Sequence, residues 1–257
     1  MAYLSRPVNP LRIVFRTPLD EEALCMLLKR RRMRLPKLAL NAWFPDADDV
    51  SVSISALPKG GWSSPVVDMV FLAKLVRLLQ PRRILELGSY RGYIARAIAE
   101  QMPDDATLVT VDIDPAHGEA YRGTPLAARI DRRVTSISAD SFEERERGFY
   151  DVIFLDADHV YASVKHDTEV ALPLLAPSGV MVWHDYKNWG GFSKKCGVPE
   201  YLAELSEELP VVQLAGSNMA VYASAWSGEQ RSVLEEMLET TGRWADADHW
   251  ETNIPPA

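Results

Sequence analysis

The chain has 257 residues, of which 47% are hydrophobic and 25% charged, and it carries a formal net charge of -8. This length allows one sizeable α/β domain, or a domain with an appendage, and the composition is ordinary for a globular protein. The negative charge argues against nucleic-acid binding, since proteins that neutralise phosphates usually present a basic face. One basic cluster, Lys29–Arg34, departs from this average. It is interpreted as a solvated helix end, with contact to an anionic partner as the alternative.

The two cysteines, Cys25 and Cys196, are too few for a disulfide framework and lack metal-ligand spacing. They are expected to be free thiols in a reducing compartment. The first 24 residues contain no apolar core followed by a small-residue cleavage site, so no signal peptide is expected. The longest apolar stretch, Val66–Leu79, is interrupted by charged residues and predicts an amphipathic helix, not a membrane span. These features predict a cytoplasmic protein without a membrane partner.

The N-terminal residues 1–60 are irregular, apart from a helix predicted from Asp20 to about Arg34. The next helix is predicted to start with Ser64 as N-cap and Pro65 at its first position. At the other end of the chain, a helix is predicted near Glu229–Thr240, followed by a frayed tail.

From Arg82 onward, short apolar runs alternate with segments of helical character. The predicted strands are Arg83–Leu87, Thr107–Val111, Val134–Ser138, Asp151–Leu155 and Val180–Trp183. The helices predicted between them are Tyr93–Gln101, Pro115–Ile130 and Tyr161–Leu175. This alternation predicts an α/β fold with a parallel sheet covered by helices on both faces.

Two further apolar runs, Val211–Leu214 and Met219–Ala223, lie too close together for a helical crossover. They predict a closing antiparallel hairpin. Together with the five strands before them, they give a mostly parallel, seven-stranded sheet with a C-terminal hairpin and an N-terminal helical appendage.

The loop after the first predicted strand reads Glu86-Leu87-Gly88-Ser89-Tyr90-Arg91-Gly92. Its two glycines let the backbone turn tightly against a ligand. A dinucleotide site would need the pattern G-x-G-x-x-G, and the middle glycine is absent here. Glu86 would repel a pyrophosphate but attract an ammonium group. The loop therefore argues against a nicotinamide dinucleotide and for a cationic, amino-acid-like cofactor.

Acidic residues also follow the next two predicted strands. Asp112 lies about 20 residues beyond the glycine loop, where a carboxylate suits a ribose diol. Asp114 can cap a helix ahead of Pro115 while Asp112 binds. Asp140-Ser141 could hydrogen-bond an adenine edge, and an ordinary turn is an equal alternative.

The fourth and fifth strands end in Phe154–His159 and Val182–Tyr186. Because ligands in such sheets bind at the carboxyl ends of the strands, the acidic and histidine side chains of both motifs should share one rim. Concentrating carboxylates and imidazoles there is costly unless something offsets the charge. A hard divalent cation would do so, and hydrogen-bonded loop caps are the alternative. The residues concerned are Asp156, Asp158, His159, His184 and Asp185.

In this order and spacing, the motifs resemble those of the class I S-adenosylmethionine-dependent methyltransferases. Leu85–Tyr93 resembles the glycine-rich cofactor loop of the catechol O-methyltransferase branch. The motifs at the fourth and fifth strand ends are more similar to a bacterial group of the macrocin and aminocoumarin type, which methylates sugar hydroxyls of natural products. The resemblance covers roughly Gly60–Ala223 and implies a Rossmann-like class I methyltransferase fold.

By this resemblance, Glu86 and the Gly88–Gly92 loop hold the methionine portion of S-adenosyl-L-methionine, Asp112 the ribose, and Asp140-Ser141 the adenine. Gly61–Ser64 would line the outer side of the cofactor. The full predicted cofactor set is Ser63, Ser64, Glu86, Gly88, Ser89, Tyr90, Gly92, Asp112, Ile113, Asp140, Ser141 and Asp156.

The resemblance also implies a magnesium site. In metal-dependent members, Mg²⁺ is held by an Asp at the fourth strand end and by acidic or amide residues at the fifth, positions that Asp156, His184 and Asp185 occupy here. His184 departs from the usual Asp, and magnesium disfavours nitrogen ligands. Water or another carboxylate is therefore the alternative third ligand. His159 matches the general base of several relatives, and an imidazole with an ordinary pKa near 6.5 suits that role. A structural histidine is the alternative.

The predicted function is that of an S-adenosylmethionine-dependent O-methyltransferase, assisted by Mg²⁺, that methylates a hydroxyl of a small molecule such as a sugar moiety of a natural product. The alternatives are a catechol- or phenol-directed or metal-independent methyltransferase, a nicotinamide-binding reductase, and a non-catalytic scaffold. Residues 61–225 would form the methyltransferase domain, residues 1–60 a substrate cover or a contact of a homo-oligomer, and residues 226–257 the C-terminal helix and tail.

Overall fold

A computed structural model describes residues 35–59, 63–186 and 196–226 of the chain. The helix predicted from Asp20 to about Arg34, with its basic cluster, lies outside the described residues, as do Cys25 and the helix predicted near Glu229–Thr240. Among the described helices, none is long and apolar enough to cross a membrane.

Eight strands form one sheet in the order β1-β7-β8-β6-β5-β2-β3-β4. Neighbouring strands are parallel, except that β8 runs antiparallel to β6 and β7. The predicted mostly parallel sheet with a closing hairpin is thus confirmed. The strands are β1 (Lys37–Leu38), β2 (Arg83–Leu87), β3 (Thr107–Asp112), β4 (Ile130–Val134), β5 (Tyr150–Leu155), β6 (Leu175–Trp183), β7 (Val212–Leu214) and β8 (Ala220–Ala223). Strand β1, which the sequence analysis did not assign, adds an eighth strand beside β7.

Helices cover both faces of the sheet because the central strands are apolar on both sides. They are α1 (Leu40–Trp43), α2 (Val66–Leu79), α3 (Tyr93–Gln101), α4 (Tyr161–Ala171) and α5 (Val198–Leu205). Helices α2 and α3 pack on the face that carries Ile84 and Val152. Helices α4 and α5 pack on the opposite face, against Leu85 and Ile153.

The segment predicted as a helix from Pro115 to Ile130 is instead a series of turns that ends in a 3-10 helix at Pro125–Arg129. Gly118 and Gly123 adopt φ of +91° and +76°, values that interrupt a right-handed helix. Pro125 has no backbone N–H to donate, so it can begin a helix but does not fit in the interior of the predicted one. The predicted strand Val134–Ser138 is also wrong. Strand β4 lies earlier and carries Asp131, Arg132 and Arg133, charges that an edge strand tolerates.

The start of α2 also differs from the prediction. Pro65 is the N-cap, and the helix begins at Val66. Ser64 caps nothing here. Its hydroxyl donates instead to Oδ2 of Asp156, at 3.2 Å, across the carboxyl ends of the strands.

The turn after β2 brings the ends of two strands into close contact. Gly88 adopts a φ of +97°, and a Cβ atom built there would lie 2.2 Å from the carbonyl oxygen of Asp156. The Asp156 amide donates to the carbonyl of Leu87 at 2.9 Å, so the two strand ends are also hydrogen-bonded. Only glycine fits at this crossing point of the glycine loop and the β5 end.

Replacing Gly88 by Ala tests this contact, with Gly123→Ala as the matched control. Both glycines have positive φ, but a Cβ at Gly123 would meet nothing within 4 Å. The control should therefore lose only the cost of the left-handed conformation, about 1–2 kcal/mol. Gly88→Ala should cost more than about 4 kcal/mol, because backbone atoms must shift. Urea unfolding measures both values, and equal losses would contradict the close contact.

Candidate functional site

A cavity of about 1370 Å³ opens at the carboxyl ends of β2, β3, β5 and β6. It exceeds the roughly 300–1,000 Å³ that is usual for one small-ligand site. Glu86, Asp140 and Ser141 are not among its lining residues. The predicted site residues that do line it are Ser63, Ser64, Gly88, Ser89, Tyr90, Gly92, Asp112, Ile113, Asp156, His159, His184 and Asp185.

Glu86 lies beneath the glycine loop, and its side chain is completely buried. One carboxyl oxygen accepts a hydrogen bond from Thr110, whose hydroxyl also bonds that of Ser89 in the cavity wall. The other oxygen, Oε1, has no hydrogen-bond partner among the described residues. Burial raises the pKa of Glu86 to about 8, although the Thr110 hydrogen bond opposes this. Glu86 is thus linked to the cavity through Thr110 and Ser89.

The Asp112 carboxylate is fixed by three donors at the end of β3. Its Oδ2 accepts the Tyr90 amide at 2.8 Å, and its Oδ1 accepts the Asp114 amide at 2.9 Å. The Nδ1 atom of His117 lies 3.0 Å from Oδ1. Burial opposes ionisation of Asp112, but these hydrogen bonds hold its pKa below the ordinary value.

His117 is a cavity residue that the sequence analysis missed. Its ring also meets the Tyr90 ring edge-on, with 5.1 Å between centroids. The sequence analysis missed it because it predicted a helix over Pro115–Ile130. The turns that actually form there place His117 next to Asp112.

Asp140 and Ser141 form part of a 3-10 turn, Ala139–Ser141. The Ser141 hydroxyl donates to the carbonyl of Ser136 at 2.7 Å. This arrangement corresponds to the ordinary turn that the sequence analysis gave as the alternative to an adenine contact. Thr135 and Ile137 line this part of the cavity. An adenine contact by Asp140 and Ser141 therefore stays a prediction.

The strand ends of β5 and β6 bring together the predicted acidic and histidine residues. His159 Nε2 lies 2.6 Å from Asp185 Oδ2 and 3.3 Å from Asp156 Oδ1. His184 Nδ1 lies 3.3 Å from Oδ1 of both carboxylates. Asp156, His184 and Asp185 are spaced so that one ion could bind all three.

Two residues from other elements complete this cluster, and the sequence analysis named neither. Asp68 on α2 is buried, and its Oδ2 lies 3.0 Å from His184 Nε2. Asn218 donates its backbone amide to Asp68 and its side-chain amide to Asp185, each at 2.8 Å. Asp68 had a sequence signal, since it interrupts the apolar face of α2 one turn before buried Leu72.

The close packing shifts the ionisation of both imidazoles. Hydrogen bonds to Asp156 and Asp185 outweigh burial and raise the pKa of His159 to about 10. Burial would lower the pKa of His184, but the surrounding carboxylates raise it to about 12. The neighbouring carboxylates thus favour the protonated form of both imidazoles in this arrangement. The ordinary imidazole pKa assumed in the sequence analysis does not hold for His159 in this arrangement.

His159 is also tied to the segment that follows β6. Its carbonyl accepts the Gly197 amide at 2.7 Å. A Cβ atom built on Gly197 would lie 2.3 Å from the Tyr161 amide nitrogen. The backbone at residue 197 can therefore approach α4 this closely only because it is glycine.

Comparison with known proteins identifies the kind of domain that this architecture represents. Residues 85–186 match the family model of a methyltransferase domain. The chain is 26% identical over 153 residues to tapetum-specific methyltransferase 1 of Arabidopsis thaliana, covering 56% of this chain and 64% of that protein. It is 29% identical over 140 residues to caffeoyl-CoA O-methyltransferase of Stellaria longipes, covering 50% and 55%. The chain thus spans less than two thirds of the length of these curated relatives.

A solved structure shows the same fold. The O-methyltransferase TomG of Streptomyces achromogenes, a protein of tomaymycin synthesis crystallised with S-adenosylmethionine, superposes with a TM-score of 0.52. The match covers 65% of this chain and 83% of TomG at 22% identity. Residues 85–186 therefore match a methyltransferase domain and share the fold of TomG, and the predicted resemblance is confirmed. Among methyltransferases, the chain is similar to O-methyltransferases of the caffeoyl-CoA type.

The buried Glu86 predicts a specific dependence of stability on pH. Because its folded pKa, about 8, exceeds the ordinary 4.5, its stabilising contribution is complete below pH 4.5 and is lost as pH rises through 8. Glu86→Gln should remove this loss, so that the variant gains stability relative to wild type between pH 5 and pH 8.5. Urea midpoints at the two pH values measure the effect. Glu144→Gln, at an exposed carboxylate outside the cavity, should keep the wild-type dependence. If both variants behave alike, the assignment to Glu86 is wrong.

Proposed function

We propose that the protein is an S-adenosylmethionine-dependent O-methyltransferase that methylates a hydroxyl of a small molecule, such as a sugar moiety of a natural product. One observation carries this proposal. A single cavity joins the glycine loop and Asp112 to the cluster formed by Asp156, His159 and Asp185. A cofactor and an acceptor could therefore bind side by side.

The cofactor end is suited to S-adenosylmethionine. The Gly88–Gly92 loop would accept the methionine portion and Asp112 the ribose. Because the Tyr90 amide holds the Asp112 carboxylate in place, loop and ribose site are positioned together. When bound, the cofactor supplies a methyl group on a positively charged sulfur. The predicted roles of Ser63, Ser64 and Ile113 agree with their places in the cavity wall.

The acceptor end is suited to removing a proton. The hydroxyl oxygen forms a bond to the methyl carbon as the carbon–sulfur bond breaks, and the hydroxyl proton passes to Nε2 of His159. Asp156, His184 and Asp185 would hold a divalent cation, whose positive charge would lower the pKa of a nearby hydroxyl and disfavour the proton on His159.

A phenolic acceptor is the second candidate, because the relatives include enzymes named for caffeoyl-CoA and for flavonoids. Transfer of labelled methyl groups from S-adenosylmethionine to a panel of glycosides and catechol-type phenols separates the two. Transfer to glycosides alone supports the sugar acceptor. Binding of S-adenosylhomocysteine without transfer to any acceptor would instead favour the non-catalytic scaffold.

The proposal extends to the division of the chain and to the place where the protein acts. Residues 1–60 would cover the acceptor or form the contact of a homo-oligomer, and residues 61–225 would form the methyltransferase domain. The C-terminal helix and tail would follow in residues 226–257. The protein would act in the cytoplasm, without a nucleic-acid or membrane partner.

His159→Gln tests the base. Turnover should fall about 100-fold or more, because general-base catalysis contributes roughly 10²–10⁴. The dissociation constant of S-adenosylhomocysteine, measured by calorimetry, should change less than about 3-fold, since the proposed base does not hold the cofactor.

His166→Gln is the matched control. It changes an exposed histidine that bonds the Ile137 carbonyl and does not line the cavity. It should leave both turnover and cofactor affinity unchanged. Equal losses of turnover and cofactor affinity in His159→Gln would contradict the assignment of the base.

A further inference from the structure

His184 has one ring nitrogen that is hydrogen-bonded and one that is not. Nε2 lies 3.0 Å from Asp68 Oδ2 in hydrogen-bonding geometry. Nδ1 is buried and has no hydrogen-bond partner among the described residues, although it lies 3.3 Å from an oxygen of both Asp156 and Asp185. The imidazole is 5% exposed, so water does not readily reach the unpaired nitrogen. A buried nitrogen left without a partner is costly unless something else binds it.

Asp68 fixes which nitrogen of His184 is available. Its carboxylate accepts the Nε2 proton, and its other oxygen is held by the Asn218 backbone amide at 2.8 Å. Histidines that bind a metal through one ring nitrogen usually donate a hydrogen bond from the N–H of the other to a carboxylate or carbonyl. The Asp68 contact therefore leaves Nδ1 as the ring nitrogen that faces Asp156 and Asp185.

The spacing of the donor atoms fits a small cation. Ligands at right angles or tetrahedral angles around a metal, with bonds of about 2.1 Å, lie roughly 3.0–3.4 Å apart. The distances from His184 Nδ1 to the carboxylate oxygens of Asp156 and Asp185 are both 3.3 Å. Both distances therefore lie within the range expected for two ligands of one ion.

We propose that Asp156, His184 and Asp185 bind a transition-metal dication, such as Mn²⁺, Co²⁺ or Zn²⁺, in preference to Mg²⁺. The inference rests on the proposed function for its cation site and goes further by naming the class of metal. Imidazole nitrogen suits these metals, whereas Mg²⁺ selects oxygen ligands. The bound cation takes the place of a proton on Nδ1. The imidazole of His184 is thus the reason to propose a transition metal at the site where the sequence analysis predicted magnesium.

The test compares metal affinities of the full chain after its metals are removed with a chelator. Calorimetric titrations with Mn²⁺, Co²⁺ and Mg²⁺ should give wild-type affinities at least about 10-fold higher for Mn²⁺ and Co²⁺ than for Mg²⁺. His184→Asp restores an all-oxygen ligand set, so this preference should shrink by about 10-fold or more. His166→Asp, at a histidine outside the cluster, should leave every affinity unchanged.

A spectroscopic measurement keeps the test independent of turnover. Pulsed electron paramagnetic resonance of bound Mn²⁺ should show coupling to a ligand ¹⁴N in wild type, and His184→Asp should lose this coupling. If His184→Asp does not fold, the ¹⁴N coupling and the metal preference of the wild-type protein still show whether His184 binds the metal. Equal affinity for Mg²⁺ and Co²⁺, absence of ¹⁴N coupling, or no binding of any metal would each overturn the proposal. S-adenosylhomocysteine binding tests the proposed function separately, so the two can fail independently.

Discussion

The balance of charge among three carboxylates and two imidazoles constrains the whole rim of the sheet. Asp68, Asp156 and Asp185 lie within contact distance of His184, and two of them also contact His159. In a largely buried space, unpaired carboxylates would repel one another strongly. Protons on the imidazoles can balance this charge, and so can a cation. The carboxylates can therefore lie this close together only while the imidazoles are protonated or a cation is bound.

The sheet supplies the positions that this balance requires. Parallel pairing sets Leu155 opposite both Leu87 and Trp183, so the residues that follow all three strands emerge at one edge. Gly88 lets the loop after β2 touch the backbone after β5, which brings the glycine loop and the cluster into one cavity. Asp68 and Asn218 then connect α2 and the β7–β8 turn to the same point.

The central fold was predictable from sequence because its signals are local. The apolar runs at Arg83–Leu87 and Asp151–Leu155 match β2 and β5 closely, and the Tyr93–Gln101 helix begins and ends as predicted. The misplaced β4 shows the limit. Its charged side chains carry no apolar period, and its place in the sheet depends on backbone pairing with β3, which a one-dimensional pattern does not record.

The candidate site was predictable where strand ends supply the side chain, as for Asp156 and Asp185. Residues that arrive from elsewhere, such as His117 and Asn218, were missed because only the tertiary fold brings them to the cavity. Asp68 interrupts the apolar face of α2, but the sequence does not show that it meets His184. The burial of Glu86 was not predicted either. Its side chain lies beneath the glycine loop and is linked to the cavity through Thr110 and Ser89, and its contact with the cofactor stays a prediction.

The hydrogen bond between the Gly197 amide and the carbonyl of His159 couples the start of α5 to the cluster. Gly197 is the N-cap of α5, so the same residue that begins the helix also holds the backbone of His159. A change in the packing of α5 against α4 during evolution would therefore also change the distances from His159 to Asp156 and Asp185. The packing of this helix pair is thus constrained by the geometry of the cluster as well as by stability.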